Sequence, residues 1–186
     1  MVVCTVIDVI HYILKEIGPT EKIKLIKLTY LADKYHLIKY GRTITNDKYF
    51  AMEFGPVGSK VDEVLGFKEG YLSKEEINYA KRLIDKINDF TYEAKDLNID
   101  YDTFAETDIE ALNFIISKFG KEDQWKLMEY THKYPEWKQH EESLKTKRIS
   151  REEIKISELI SVLDDNVFNI SEDHIEESKA LLSGQF

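Results

Sequence analysis

Residues 24–64 decide the fold of this chain, and they read KLIKLTYLADKYHLIKYGRTITNDKYFAMEFGPVGSKVDEV. The first part of the stretch has the three- and four-residue spacing of a helix. One face carries Leu25, Leu28, Ala32 and Tyr35, and a neighbouring face carries Ile26, Tyr30 and Leu37. A helix that is apolar around much of its circumference is usually central to a core. We therefore expect a buried central helix that ends at Gly41, a residue suited to the C-cap.

After Gly41 the helical spacing gives way to short β-prone runs. They flank Asn46-Asp47 and contain Ile44, Tyr49, Ala51 and Phe54. This pattern predicts a short hairpin or a pair of short strands. Gly55-Pro56 then requires a turn, and Gly58 permits a backbone conformation closed to other residues. Ser59 to Asp62 resembles a capping box with Asp in place of Glu or Gln, so a new helix should begin there.

Amphipathic helices are also predicted on both sides of this segment. The first runs to Gly18-Pro19 and carries Val3, Val6, Ile7, Ile10, Leu14 and Ile17. A capping box at Ser73–Glu76 opens another, with a stripe of Ile77, Ala80, Ile84, Ile87 and Phe90. Residues 91–107 read as a polar connection. A third box at Thr107 opens a helix with Leu112, Ile115, Ile116 and Phe119, and one more helix precedes Pro135.

The last part of the chain has a different composition. KTKRISREE reads as a charged hinge, Ile154, Leu159, Ile160 and Leu163 suggest one helix, and Ile175, Leu181 and Leu182 a shorter one. This apolar content is thin for an independent core. We therefore predict a mainly α fold with a small β-hairpin or short sheet (α+β), in which residues 1–140 form a compact helical domain. Residues 141–186 form a helical appendage that either docks on it or orders against a partner.

Composition narrows the class of protein. The 186 residues are 42% hydrophobic and 33% charged, and the formal net charge is −9. We expect a cytoplasmic protein without a membrane span or signal peptide, because no apolar run is long enough and the N-terminal run carries charges. The single cysteine, Cys4, is expected to be a buried thiol. The net charge argues against non-specific nucleic-acid binding and suits a basic protein partner.

Two residues, Asp33 and His132, are candidates for catalysis. Asp33 falls on a largely apolar stripe, where a carboxylate is costly unless it is paired. It is either a catalytic acid or, as we favour, a residue whose ion pair or backbone hydrogen bond fixes the hairpin, with Arg42 or His36 as candidate partners. His132 lies near Glu129 but has no partnered nucleophile, so a structural role is favoured. An enzyme using Asp33, Glu129 or His132 requires them to converge in one open cleft.

Other ligand classes have weak signals, and we expect no metal and no cofactor. No two histidines are spaced i, i+4, and there is no second cysteine. The glycines around Pro56 precede a helix, but no GK[ST] follows them. Lysines alternate with tyrosines along the central helix (Lys22, Lys24, Lys27, Lys34 and Lys39 with Tyr30, Tyr35 and Tyr40). Given the net charge we interpret these lysines as a solvated rim, although a local basic face stays open.

Three motifs in order resemble one known family. Lys24, Leu25, Lys27, Leu28 and Tyr30 form K-L-x-K-L-x-Y, and Leu31 also matches this signature helix. Phe54 to Val57 form F-G-P-V, and Thr131, His132 and Trp137 match a T-H-x-x-x-W-type end with one residue more before the Trp. Over roughly residues 3–140 the chain thus resembles the Panacea antitoxin domains, a SocA-like group often found in prophages. Glu136 separates Pro135 from Trp137, where the family has them adjacent. The motif residues expected to be mainly structural are Lys24, Leu28, Tyr30, Asp33, Gly55, Pro56, Val57, Thr131, His132 and Trp137.

The resemblance implies a function that the residues alone do not. It implies an antitoxin, not an enzyme, that neutralises a cognate protein toxin by direct contact, with the toxin encoded next to it. The alternatives are an adaptor that delivers the toxin to a Clp protease and a transcriptional co-regulator. We expect the toxin to contact exposed aromatic side chains around the hairpin, including Tyr49 and Phe50, because interface hot spots favour aromatic anchors.

Overall fold

A computed structural model describes residues 2–96 and 98–183, with side chains for residues 5–96 and 98–182. The predicted thiol of Cys4 lies outside the described side chains. The helices are α1 (Val2–Ile17), α2 (Lys22–Tyr40), α3 (Ser59–Leu65), α4 (Lys74–Leu83), α5 (Glu106–Phe119), α6 (Gln124–Thr131), α7 (Pro135–Lys138), α8 (Glu141–Lys145) and α9 (Glu172–Ser183), with a 3-10 helix at Ile156–Leu159. The strands are β1 (Thr20–Glu21), β2 (Tyr49–Met52), β3 (Gly55–Gly58), β4 (Ile84–Lys86), β5 (Thr91–Ala94) and β6 (Arg151–Ile154).

The prediction of a mainly α fold with a small β component is confirmed, and α2 is its central element. This helix is buried without interruption from Leu25 to Ile38. It packs against α5, α6, α9 and the β3 strand. Gly41 ends it in the left-handed conformation and donates its N–H to the carbonyl of Leu37. The central helix and its C-cap are therefore as the sequence predicts.

A hairpin is present as β2 and β3, paired antiparallel with Tyr49 opposite Gly58. Its position differs from the prediction, because the turn lies at Glu53-Phe54 and not around Asn46-Asp47, and Gly55-Pro56 begins β3. Gly55 has a positive φ of 98°, as a tight turn requires. Gly58 does not, since its φ is −74°. Glycine is needed at this position because a Cβ would collide with the carboxylate of Asp47. The predicted capping box at Ser59 is wrong, since Asp47 instead accepts hydrogen bonds from the N–H groups of Lys60 (2.9 Å) and Val61 (3.1 Å).

A second sheet has the strand order β1-β5-β4, and its strands β4 and β5 lie where the sequence suggested a longer helix and a polar connection. The capping box at Ser73 is confirmed, but α4 ends at Leu83. Ile87 and Phe90 are exposed at the turn that follows β4, where Asn88 accepts the N–H groups of Phe90 and Thr91. The helical spacing of apolar residues continues past the end of α4, but the backbone there forms a strand. Its N–H and C=O groups are hydrogen-bonded to β5 and not along a helix.

The third predicted capping box, at Thr107, is not at the position that the sequence suggested. The N-cap of α5 is Ala105 and not Thr107, so the helix begins two residues earlier than predicted, and the carboxylate of Asp108 accepts the N–H of Ala105 at 2.9 Å. Thr107 instead places its hydroxyl 3.1 Å from the Nε2 atom of His36.

The C-terminal segment contacts the rest of the chain through both a strand and a helix. Strand β6, which occupies part of the expected charged hinge, pairs antiparallel with β2. The helix expected across Ile154–Leu163 is wrong, because this stretch contains the end of β6 and only a short 3-10 helix. The shorter C-terminal helix is confirmed as α9, and Ser178 on it donates to the carbonyl of Ile38. Within the described residues, no helix is both long and apolar enough to cross a bilayer.

Candidate functional site

The polar side chains of α2 are mostly directed into the protein. Lys27, Asp33, Lys34 and His36 are all buried. The expectation that the lysines form a solvated rim is therefore wrong for Lys27 and Lys34. Buried polar groups cost free energy unless they are hydrogen-bonded, so the partners of these side chains show what the helix organises.

Asp33 holds the start of the hairpin. Its Oδ1 atom accepts the backbone N–H groups of Ile44 (2.8 Å) and Thr45 (3.0 Å). Its Oδ2 atom accepts the hydroxyls of Thr45 and Tyr49, the latter at 2.8 Å. Burial raises the pKa of Asp33 to about 6, although these four donors act in the opposite direction. A backbone hydrogen bond was one of the two contacts expected for Asp33 and is present, but neither Arg42 nor His36 is its partner, since Arg42 pairs with Asp108.

Lys34 and Glu136 form a buried ion pair at 2.6 Å, with no side-chain exposure on either partner. Lys34 also donates to the carbonyl of Leu159 (2.8 Å) and to Ser161 (2.9 Å). Glu136 additionally accepts the hydroxyls of Tyr30 and Ser161. Burial lowers the pKa of Lys34 to about 8, while Glu136 opposes that shift. Each of the three ammonium protons has an acceptor, so the charge is buried at little loss of hydrogen bonding.

Sequence reasoning missed Glu136 as a site residue. The one available signal was its position between Pro135 and Trp137, in the closing motif. Pro135 starts α7, and the following turn brings the Glu136 carboxylate against Tyr30 and Lys34. The central helix and the segment that carries the closing motif are thus joined by a charge pair that neither segment shows by itself.

The closing motif also supports the hairpin. The ring of His132 stacks on Trp137 at 3.6 Å between centroids and 3° between planes. The Nε1–H of Trp137 donates to the carbonyl of Met52 at 2.8 Å, and Thr131 donates to the carbonyl of Met128. Burial, with the positive charge of Lys27 second, lowers the pKa of His132 to about 4. This histidine is therefore neutral at pH 7, and its role is packing.

The remaining motif residues also make contacts within the fold or are buried in it. Lys24 donates to the carbonyl of Gly120 at 2.8 Å, and Leu28 is fully buried. Lys27 donates to the carbonyl of Pro56 at 2.7 Å, directly over Gly55. Burial holds the pKa of Lys27 well below its usual range. Gly55 and Pro56 are buried, and Val57 is half-buried.

One of the two expected partner-contact residues is buried. Tyr49 is only 2% exposed, because its ring packs against Tyr30 and its hydroxyl binds Asp33. The expectation that it is an exposed aromatic is wrong. Alternation along β2 directs Tyr49 inwards and its neighbour outwards. Phe50 is half-buried, with the guanidinium of Arg151 at 5.0 Å from its ring centroid.

The three residues of the enzyme hypothesis do not share an open cleft. Asp33 has no exposed surface and four donors inside the protein, whereas Glu129 is exposed on α6. His132 packs flat against Trp137. Among the described side chains, no group of three or more His, Cys, Asp or Glu is arranged to hold a metal ion.

A groove of about 550 Å³ lies between the start of α2, the hairpin and the residues around α8. We call it the hairpin groove, and its lining is Lys22, Ile23, Ile26, Lys27, Met52, Glu53, Phe54, Val57, Asp62, Leu144, Lys147, Ile149 and Ser150. A hollow of about 200 Å³ continues across the hairpin and shares Met52, Val57 and Asp62 with it. Phe50 and Arg151 line that hollow.

Comparison with known families agrees with this geometry. A sequence model described as the antitoxin SocA-like, Panacea domain matches residues 25–138. The chain belongs to the SocA-like Panacea family. The Panacea match runs from α2 to α7, so α1 and β6 lie outside it. No curated protein and no solved structure matches the chain.

Proposed function

We propose that this Panacea protein is an antitoxin that binds one cognate protein toxin directly and occludes its active surface. The observation that carries the proposal is the internal use of the family motif. Lys24, Tyr30, Asp33 and His132 are occupied by contacts within the fold. A motif that builds a scaffold leaves recognition to the outer surface, as expected of a binding protein.

The charge of the chain supports the same proposal. The net charge of −9 favours encounter with a basic partner, because complementary fields increase association rates. Toxins that act on RNA or nucleotides need basic surfaces, so they are suitable partners. The proposal places the complex in the cytoplasm and assigns no catalytic residue to this chain.

Co-expression tests the proposal. The reading frame adjacent to this gene is induced with and without this protein in the same host. We expect growth arrest by the neighbour alone, restored growth with both proteins, and a complex that co-purifies at a fixed ratio. Persistent arrest in the presence of abundant, folded protein, with no co-purification, would contradict the proposal.

The same strains separate the two alternatives. A proteolytic adaptor predicts that the toxin disappears in wild-type cells and persists in cells lacking the Clp protease, whereas an occluding antitoxin restores growth in both. A transcriptional co-regulator predicts a gel shift on its own promoter that weakens steeply with salt.

A further inference from the structure

The hairpin groove has the surface character of a protein-binding site. Its walls are mainly aliphatic and aromatic, and two of its large apolar side chains are exposed, Met52 at 36% and Phe54 at 52%. Exposed large apolar side chains that border a concave surface are typical of sites that a partner covers. The adjoining hollow extends the surface past Phe50, so the site is long enough for a segment of chain and not only for one side chain.

Lys27 gives the groove a specific polar requirement. Its ammonium has three N–H donors, and within the described residues its only hydrogen-bond acceptor is the carbonyl of Pro56. Lys34, on the same helix and equally buried, has three acceptors. The buried amino group of Lys27 is therefore under-coordinated within the described residues, whereas that of Lys34 is not. An acceptor supplied from outside would correct this deficit.

The other charges of the groove favour an acidic group as that acceptor. Lys22 and Asp62 pair with each other at 2.7 Å. The other charged residues of the lining are two lysines, Lys27 and Lys147, and one acid, Glu53. Lys147 has no ion pair among the described residues. The groove thus presents two lysines without a carboxylate partner among the described residues, one exposed (Lys147) and one buried (Lys27). An acidic side chain placed there would pair with the first and stabilise the protonated form of the second.

We infer that the hairpin groove is the toxin-docking surface, and that it takes a toxin segment presenting a large apolar side chain next to an acidic group. This inference rests on the proposed antitoxin function. The apolar side chain packs between Ile26 and Phe54, and the acidic group pairs with Lys27 and Lys147. The acidic remainder of this protein steers the basic toxin, while the groove fixes where it binds.

Two aromatic residues provide a matched test. Phe54, in the groove, and Trp125, on α6 and outside the groove lining, are each 52% exposed. The variants Phe54→Asp and Trp125→Asp are co-expressed with the product of the adjacent reading frame, and the affinity of each purified complex is measured by biolayer interferometry. Since hot-spot truncation weakens binding by tenfold or more, we expect Phe54→Asp to raise the Kd at least about 30-fold and Trp125→Asp to change it less than about threefold.

A second pair of variants tests the charge. Lys147→Glu should raise the Kd at least about tenfold, because an attractive contact with the acidic group becomes repulsive, whereas Lys147→Arg should leave it within about threefold. A thermal melt of each purified variant without its partner tests whether the variant is folded. We expect all of them to be folded, because the replaced side chains are exposed and their loss does not open the core.

The outcomes separate the inference from the function on which it rests. A wild-type protein that neither rescues growth nor binds the neighbour overturns both. A wild-type complex that Phe54→Asp and Lys147→Glu leave intact overturns the groove assignment alone. If the protein forms a dimer in the absence of toxin and Phe54→Asp dissociates that dimer, the occupant of the groove is a second copy of this chain. That result also overturns the assignment.

Discussion

Replacing Lys34 by methionine tests the claim that the buried Lys34–Glu136 ion pair stabilises the contact between the central helix and α7. Methionine keeps most of the aliphatic volume of lysine and removes only the cation. The carboxylate of Glu136 then stays fully buried, with the hydroxyls of Tyr30 and Ser161 as donors but without its counter-charge.

The expected loss is large because one partner of a buried pair is left behind. Removing one member of such a pair costs about 3–5 kcal/mol. For a chain of this size each kcal/mol corresponds to about 2–4 °C, so the melting temperature should fall by about 6–20 °C. Adding Glu136→Gln should recover more than half of the loss, because glutamine keeps an acceptor for Tyr30 and removes the unpaired charge.

Urea denaturation followed by circular dichroism at pH 7 measures these differences. The matched control is Lys126→Met, because Lys126 forms an exposed pair with Glu122 at 3.3 Å. Exposed pairs contribute about 0–1 kcal/mol, so this variant should unfold close to wild type.

Two results would refute the reasoning. The first is a decrease of less than about 1 kcal/mol in the free energy of unfolding for Lys34→Met. The buried pair would then contribute no more than an exposed ion pair does. The second is a double variant no more stable than the single one, because the penalty would then not come from the unpaired carboxylate.

Three further predictions concern the hairpin and its supports. Gly55→Ala should lower the free energy of unfolding by about 2 kcal/mol or more, and Gly70→Ala by only about 1 kcal/mol. Both glycines have positive φ, but only a Cβ at residue 55 would meet Lys27, at 2.7 Å. Chemical denaturation of both variants checks the difference. Asp33→Ala should destabilise by about 3 kcal/mol, since several buried donors lose their acceptor, and Asp33→Asn by about 1 kcal/mol, since the amide oxygen can still accept N–H bonds; equal losses would contradict this. His132 has a folded pKa of about 4, below its unfolded value, so it contributes stability that falls as the pH drops from about 6.5 to 4; the variant His132→Phe should lack this contribution, and NMR titration of the imidazole should show the low midpoint.

Helical periodicity was informative wherever one face met the core. The central helix and its glycine cap followed from Leu25, Leu28 and Gly41, because apolar spacing and a left-handed cap are local properties. The same reasoning extended α4 too far, since Ile84 and Ile87 continue the spacing of a helix. Whether that backbone forms a helix or a strand depends on whether β5 can pair with it. The spacing of apolar residues within one segment carries no information about such a distant partner.

The site shows a similar division. Asp33 was identified as a buried acid because its position on an apolar stripe requires a partner, but the partner proved to be the backbone of Ile44 and Thr45. Tyr49 was expected to be exposed, and the register of β2 placed it inside. Its neighbour Phe50 lies beside the hairpin groove, which no local pattern outlined because its walls come from α2, the hairpin and the region of α8.

The sequence by itself determined the fold class, the central helix and the family, because these depend on short-range spacing and on the order of motifs. Only the tertiary structure decided that Lys34 meets Glu136 across the chain and that Lys27 lies under an apolar groove with one acceptor. The physical reason is that burial sets the energetic importance of a charge, and burial is produced by every element that packs around it. A lysine on a helix reads the same in sequence whether it contacts water, a carboxylate or the floor of a groove.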